Sequence, residues 1–140
     1  MSKKRIIDIL NEDRESELGA ISQYMLHHYQ AEGLGNPSVV KSFKKTAIDE
    51  MKHAEALAER IHDLGGVPSN RRAPMKRGGN LKKMVRDDLR AELGAIRIYK
   101  RHIEICKKER DSASRQLFKK TLSDEERHAA AWKAILKTKI

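Results

Sequence analysis

The feature that most restricts this chain is an internal repeat. Asp49-Glu50-Met51-Lys52-His53-Ala54 and Asp124-Glu125-Glu126-Arg127-His128-Ala129 lie 75 positions apart. The same offset, without a gap, places Glu17-Leu18-Gly19-Ala20-Ile21 on Glu92-Leu93-Gly94-Ala95-Ile96, Tyr24 on Tyr99, His27 on His102, and Phe43-Lys44-Lys45-Thr46 on Phe118-Lys119-Lys120-Thr121. Two copies of one unit related by a pseudo-two-fold axis explain such a pattern. In each copy a Glu stands 33 positions ahead of the Glu of a Glu-x-x-His pair: Glu17 before Glu50, and Glu92 before Glu125.

The unit reads as a helical hairpin. Measured from Glu17 at about 100° per residue, Ile6, Leu10, Ile21, Tyr24, His28 and Ala31 fall within about 40° of it, so residues 4–31 predict one amphipathic helix with a carboxylate in its apolar stripe. Gly33, Gly35, Asn36 and Pro37 turn the chain. Pro37 or Ser38 starts a second helix to Leu64, with Phe43, Ala47, Glu50, Ala54, Leu57 and Ile61 in its stripe and His53 at the edge; Gly65-Gly66 ends it. Asn80 caps a third helix reaching about Lys108, striped by Val85, Leu89, Glu92, Ile96, Tyr99, Ile103 and Cys106. Asp111 or Ser112 opens a fourth, striped by Phe118, Leu122, Glu125, Ala129, Trp132 and Leu136, with His128 beside the stripe.

The expected fold is all-α: a single domain over residues 1–140, made of hairpins 4–64 and 80–139 joined by residues 65–79. Each turn is about equidistant from its two Glu residues, so all four carboxylates meet at mid-height. A helix of ~27 residues is ~40 Å long. Some 15 extended residues reach ~50 Å, whereas a simple antiparallel turn needs only ~2–8. The connection therefore predicts a long crossover along the bundle.

Glu and His three apart share a helix face. Two such pairs, plus one Glu from each of two other helices, make a di-metal site from Glu17, Glu50, His53, Glu92, Glu125 and His128. Four carboxylates balance two divalent ions; each ion can take one imidazole and one terminal Glu, with the other two Glu bridging. Oxygen-rich ligation with one imidazole per ion suits Fe(II) or Mn(II) better than structural zinc, so two iron ions are expected, with manganese or zinc as substitutes. Tyr24 and Tyr99 read either as core tyrosines or as hydrogen-bond partners of a ligand carboxylate. His27, His28 and His102 read as satisfied or exposed histidines, and Cys106 and Trp132 as core.

Composition narrows the setting. There is no apolar run of membrane-spanning length, no secretory leader, and one cysteine, which predicts a cytoplasmic protein without disulfides. The net charge of +10 reads either as a solvated surface or as a sign of an acidic partner, such as nucleic acid or another protein. No basic segment has the interleaved aromatics of a base-stacking surface.

Leu10-Asn11, Glu17-Leu18, Ala20-Ile21, Gln23-Tyr24, Asp49 to Ala54, Asp87 to Glu92 and Asp124 to His128 together resemble a bacterioferritin, within the ferritin-like superfamily. The resemblance implies a four-helix bundle with a ferroxidase centre oxidising Fe(II) to Fe(III) with O2 or H2O2, for iron storage or detoxification. It implies Glu17 and Glu92 as terminal ligands, Glu50 and Glu125 as bridges, and one His on each metal. It also implies haem b bound by Met51 between two subunits; Met51 breaks the repeat, its counterpart being Glu126. Two features depart from the family. The sequence stops at Ile140, close behind the fourth helix, so the short fifth helix of cage-forming ferritins is expected to be missing. The positive charge also suits an acid-lined mineral cavity poorly. A homo-oligomer of at least two subunits is expected rather than a 24-subunit cage. Two other readings remain open: a rubrerythrin-like di-iron peroxidase without mineral storage, and a basic DNA-protecting assembly like Dps.

Overall fold

In a computed structural model, which describes residues 2–138 and 140, the chain forms four helices: α1 (Lys3–Ala31), α2 (Pro37–Asp63), α3 (Leu81–Lys108) and α4 (Ser112–Leu136). The boundaries follow the chain's own signals. Ser2, Asn36, Asn80 and Asp111 each turn a side-chain oxygen onto a backbone N–H of the first helical turn. Pro37 sits in the first turn of α2, where its missing N–H is not needed. Gly65, at φ 85°, ends that helix in the left-handed region.

Two apolar clusters fill the bundle's ends. Ile6, Ile9 and Leu10 of α1 meet Leu57 and Ile61 of α2 and Leu64 just beyond it, Tyr99, Ile103 and Cys106 of α3, and Phe118 of α4. At the other end Tyr24 and Ala31 meet Val39, Val40, Phe43, Ala47, Leu81, Met84, Val85 and Trp132. The start of α1 therefore lies with the ends of α2 and α3 and the start of α4. Helices α1 and α4 run one way, α2 and α3 the other. This is the ferritin-like four-helix bundle, with its two hairpins joined by a crossover that climbs the whole length.

The crossover does so along α1. Asn11 exchanges hydrogen bonds with Val67 O and Ser69 N, Ala73 N–H donates to Glu15 O, and Lys76 N–H donates to Gln23 Oε1. His27 Nε2 lies 3.0 Å from Lys76 O. Successive loop residues thus meet successive turns of the helix. This cover widens the buried face of α1. Gly19, Gln23 and His27 are buried, whereas Ile21 and His28, which the simple stripe places inside, are only half-buried.

The crossover also breaks the two-fold symmetry. A Cβ on Gly19 would sit 2.7 Å from Ala73 O, whereas one on the matching Gly94 would meet only Arg97 Nη2 at 3.9 Å. Opposite outcomes are expected from one substitution. Gly19→Ala should destabilise by about 1–3 kcal/mol through overpacking. Gly94→Ala should be neutral or stabilise by up to about 1 kcal/mol through helix propensity. Urea unfolding of the two variants checks this.

Candidate metal centre

Between the two apolar clusters lies a polar layer. Glu17, Glu50, Glu92 and Glu125, one from each helix, are all at most 3 % exposed, and His53 and His128 are buried beside them. The repeat places them: each Glu is mid-helix, and each His is one turn beyond the Glu of α2 or α4. His53 Nδ1 lies 3.0 Å from Glu125 Oε1, 3.6 Å from Glu17 Oε2 and 3.7 Å from Glu50 Oε2. His128 Nδ1 lies 3.1 Å from Glu50 Oε1 and 3.4 Å from Glu92 Oε1. Two groups of potential ligand atoms result, each within 4.8 Å: Glu17, Glu50, His53 and Glu125, and Glu50, Glu92, Glu125 and His128. Glu50 and Glu125 belong to both.

Hydrogen bonding supplies an independent test of whether these residues suit metal ions. Seven buried side-chain atoms among the described residues lack a hydrogen-bond partner: Glu17 Oε2, Glu50 Oε1, His53 Nδ1, Glu92 Oε2, Glu125 Oε1, His128 Nδ1 and Arg115 Nε. Six of the seven belong to the six candidate ligands, one atom each. Buried polar atoms without partners are costly and rare in a folded protein, and here they converge on one place. A pair of cations at that place would satisfy them.

The surrounding residues hold the candidate ligands in position. Tyr24 O–H donates to Glu92 Oε1 at 2.5 Å, and Tyr99 O–H donates to Glu17 Oε1 at 2.6 Å. Each tyrosine thus grips the Glu of the opposite hairpin. Trp132 Nε1–H donates in turn to the Tyr24 oxygen. His53 Nε2 is 2.8 Å from Asp124 Oδ2, and His128 Nε2 is 3.0 Å from Asp49 Oδ2. An Nε2–H given to a carboxylate leaves Nδ1 as the atom facing the Glu cluster, the arrangement that orients metal-binding imidazoles.

Asp49 and Asp124 were missed as functional candidates in the sequence, although each directly precedes a candidate ligand. Spacing alone points them away from the site. Only the close approach of α2 and α4 brings each beneath the other helix's imidazole. A further pair of contacts was also missed. His27 Nδ1 is 2.9 Å from Asp88 Oδ2, and His102 Nδ1 is 2.7 Å from Asp13 Oδ2. These pairs obey the 75-residue offset and are buried. Burial pushes Asp13 and Asp88 up to about 6 despite their histidines. His28 instead bonds Val40 O, and Cys106 and Trp132 are core.

Electrostatics follow from crowding. Burial, and then the charge of Glu17, push Glu50 well above the usual carboxylate range. Burial, Glu17 and Glu50 do the same to Glu125. For Glu17, burial also works upward, but the neighbouring Glu50, His53 and Tyr99 outweigh it and hold the group below its ordinary value. Burial disfavours the charged forms of His53 and His128, yet the surrounding carboxylates raise both, led by Glu125 for His53 and Glu92 for His128. Without metal, this layer retains protons.

The layer is accessible. A cleft of about 200 Å³ opens between α1, α3 and the crossover, walled by Gly19, Ala73, Pro74 and Gly94, and reaches all four Glu residues. On the opposite face two smaller clefts, related by the repeat, reach His128 and His53. No described helix is long and apolar enough to cross a membrane.

Comparison with known proteins agrees with this architecture. The family model of the ferritin-like domain matches residues 7–139. The bacterioferritin of Desulfovibrio desulfuricans is 33 % identical over 134 residues, spanning 95 % of this chain and 75 % of the relative. That of Brucella melitensis is 38 % identical over 125 residues, spanning 89 % and 78 %. Mycobacterium tuberculosis bacterioferritin BfrA superposes with a TM-score of 0.92 at 31 % identity, covering 96 % of this chain and 85 % of its own. Rhodobacter capsulatus bacterioferritin, solved with a metal-free dinuclear site and haem iron, gives 0.92 at 30 %, covering 96 % and 84 %. The D. desulfuricans structure, with a diiron site in different catalytic states, gives 0.93 at 32 %, covering 96 % and 80 %. With its fold, its repeated Glu-x-x-His pairs and these relatives in agreement, the chain belongs to the bacterioferritin family of ferritin-like proteins.

Proposed function

We propose that this protein oxidises Fe(II) to Fe(III) at a two-iron centre built from Glu17, Glu50, His53, Glu92, Glu125 and His128, within one subunit. The convergence of six unpartnered buried atoms, one from each of these residues, carries the reading. Glu50 and Glu125, shared by both ligand groups, would bridge the two ions. Glu17 with His53, and Glu92 with His128, complete one ion each. Four carboxylates offset the charge of two ferrous ions.

Ferrous ion is the substrate, and two ions side by side supply two electrons together. One O2 taking both electrons and two protons leaves as H2O2; one H2O2 taking both electrons and two protons leaves as two waters. The protein's part is binding and positioning. The carboxylates stabilise the higher charge of the ferric product. Tyr24 and Tyr99 hold Glu92 and Glu17 by their hydroxyls, and Asp124 and Asp49 fix the imidazole rings. The apolar clusters above and below exclude water from both ends of the layer. Iron storage or detoxification is the physiological role that fits this chemistry and these relatives.

Haem is a second cofactor in this reading. Met51 is next to Glu50 in sequence but points outward, 52 % exposed, with exposed Ile48 one turn before it. A thioether beside an exposed apolar side chain suits haem iron, and the pseudo-two-fold equivalent, Glu126, does not. A haem held by Met51 at a face shared by two copies of the chain would make a dimer the smallest assembly. Met51→Leu is expected to abolish the haem absorbance that reconstitution gives the unaltered protein, while leaving Fe(II) oxidation in place.

Anaerobic Fe(II) titration should saturate near two ions per chain, and oxygen should then produce rapid ferric absorbance. Glu50→Ala/Glu125→Ala, shown folded by circular dichroism, should lose both. Oxidation by the double variant at an unchanged rate would overturn the assignment.

Metal uptake should release protons. The raised Glu50, Glu125, His53 and His128 hold protons that cations displace, so affinity should rise with pH. The same groups titrate higher folded than unfolded, so the stability they lend the metal-free protein is present at acidic pH and lost as pH climbs through the folded values. The Tm gap between metal-loaded and metal-free protein is therefore expected to widen from pH 5.5 toward about 8, measurable by calorimetry with Zn(II) as a redox-silent ion.

A further inference from the structure

The net charge of this protein is not spread evenly. Residues 1–63 hold nine Lys and Arg against eleven Asp and Glu, whereas residues 64–140 hold twenty-one against nine. The two hairpins share a fold and a metal layer, so the centre does not account for the difference.

Much of the excess lies on one face. Arg86, Arg90, Arg97, Arg101 and Lys108 follow one another at spacings of four and seven residues, which draws a single line down the outer side of α3. All are exposed, and among the described residues none has a salt-bridge partner. Glu104 is the one exposed acid on this helix. The crossover adds Arg71, Arg72, Lys76 and Arg77, all exposed, and has no acidic residue between Leu64 and Asn80. Its middle, Ala73-Pro74, and α3's Arg90 and Gly94 line the same cleft, so the two basic strips flank one groove.

We propose that this α3–crossover face is a docking surface for double-stranded nucleic acid, held through its phosphates. Dimensions and chemistry select that partner. From Arg86 to Lys108 the helix rises about 33 Å, close to one turn of a duplex at ~34–36 Å. Duplex DNA carries one negative charge per ~1.7 Å of axis, matching a line of five cations that only Glu104 interrupts better than an acidic protein surface, where opposite charges are interspersed. Four of the five residues in the line are arginines, whose fork geometry suits phosphate. No aromatic side chain lies on either strip, so binding is by backbone contact and independent of base sequence.

The test uses the full chain and a fluorescein-labelled 30-base-pair duplex of arbitrary sequence, read by anisotropy. Binding is expected at 50 mM NaCl and should weaken on the order of 10²–10³-fold by 200 mM, as for about five phosphates. Arg86→Glu/Arg97→Glu/Arg101→Glu should lose at least about tenfold in affinity at 50 mM, with Fe(II) oxidation retained as evidence of folding. Lys45→Glu/Lys52→Glu/Lys120→Glu makes the same charge change on the opposite, α2–α4 face and should alter affinity less than about threefold. No binding at 50 mM, or equal losses in both variants, would overturn the proposal. So would poly-glutamate displacing the duplex at equal charge concentration, which would mark an acidic polypeptide as the fitting partner.

Discussion

Four carboxylates buried in one layer dominate this structure. Ionised glutamates cannot share a dry interior without compensation. The rest of the bundle is arranged around that constraint. Two apolar clusters close the layer above and below and supply the burial that holds four helices together. Two tyrosines each tie down one carboxylate, and two imidazoles face the cluster with their outer nitrogens held by aspartates. Crowding raises Glu50, Glu125, His53 and His128 above their ordinary values, and the unpartnered atoms of the layer suit cations. Ligand set, folding energetics and pH response are one problem here, because removing a carboxylate changes all three.

The cross-hairpin pattern of these contacts has a consequence for the fold. Tyr24 of the first hairpin holds Glu92 of the second, Tyr99 holds Glu17, His53 leans on Asp124, and His128 leans on Asp49. The outer pairs, His27 with Asp88 and His102 with Asp13, cross over as well. Neither hairpin can build half of the layer alone. The pseudo-two-fold axis therefore does more than record a repeated sequence: each copy supplies the groups that orient the other's carboxylates and imidazoles.

Symmetry fails where the single crossover lies. It climbs along α1 and has no counterpart on α3, so Gly19 is pressed against Ala73 while Gly94 faces open space. The same asymmetry leaves a cleft beside α3 leading to the carboxylates. It also puts the acid-free crossover next to the cation line of α3. A chain that must return to its starting end once makes two different faces from two similar halves.

The sequence by itself determined the helices, their caps, the crossover and the six residues of the central layer. Repeat and periodicity are local properties, and the four Glu residues are set at one height by counting along helices of fixed rise. His28 and Ile21 show where that counting stops. A stripe drawn at constant angle from Glu17 places them inside, but the crossover covers a different side of α1 and buries Gly19, Gln23 and His27. Only the tertiary structure decided which hairpin each tyrosine serves, that Asp49 and Asp124 brace the imidazoles, and that Asp13 and Asp88 are buried with histidine partners. Each of those contacts joins residues more than sixty positions apart. Their geometry depends on how closely the helices approach and how they turn about their axes. Packing sets those quantities, and no spacing along one helix contains them.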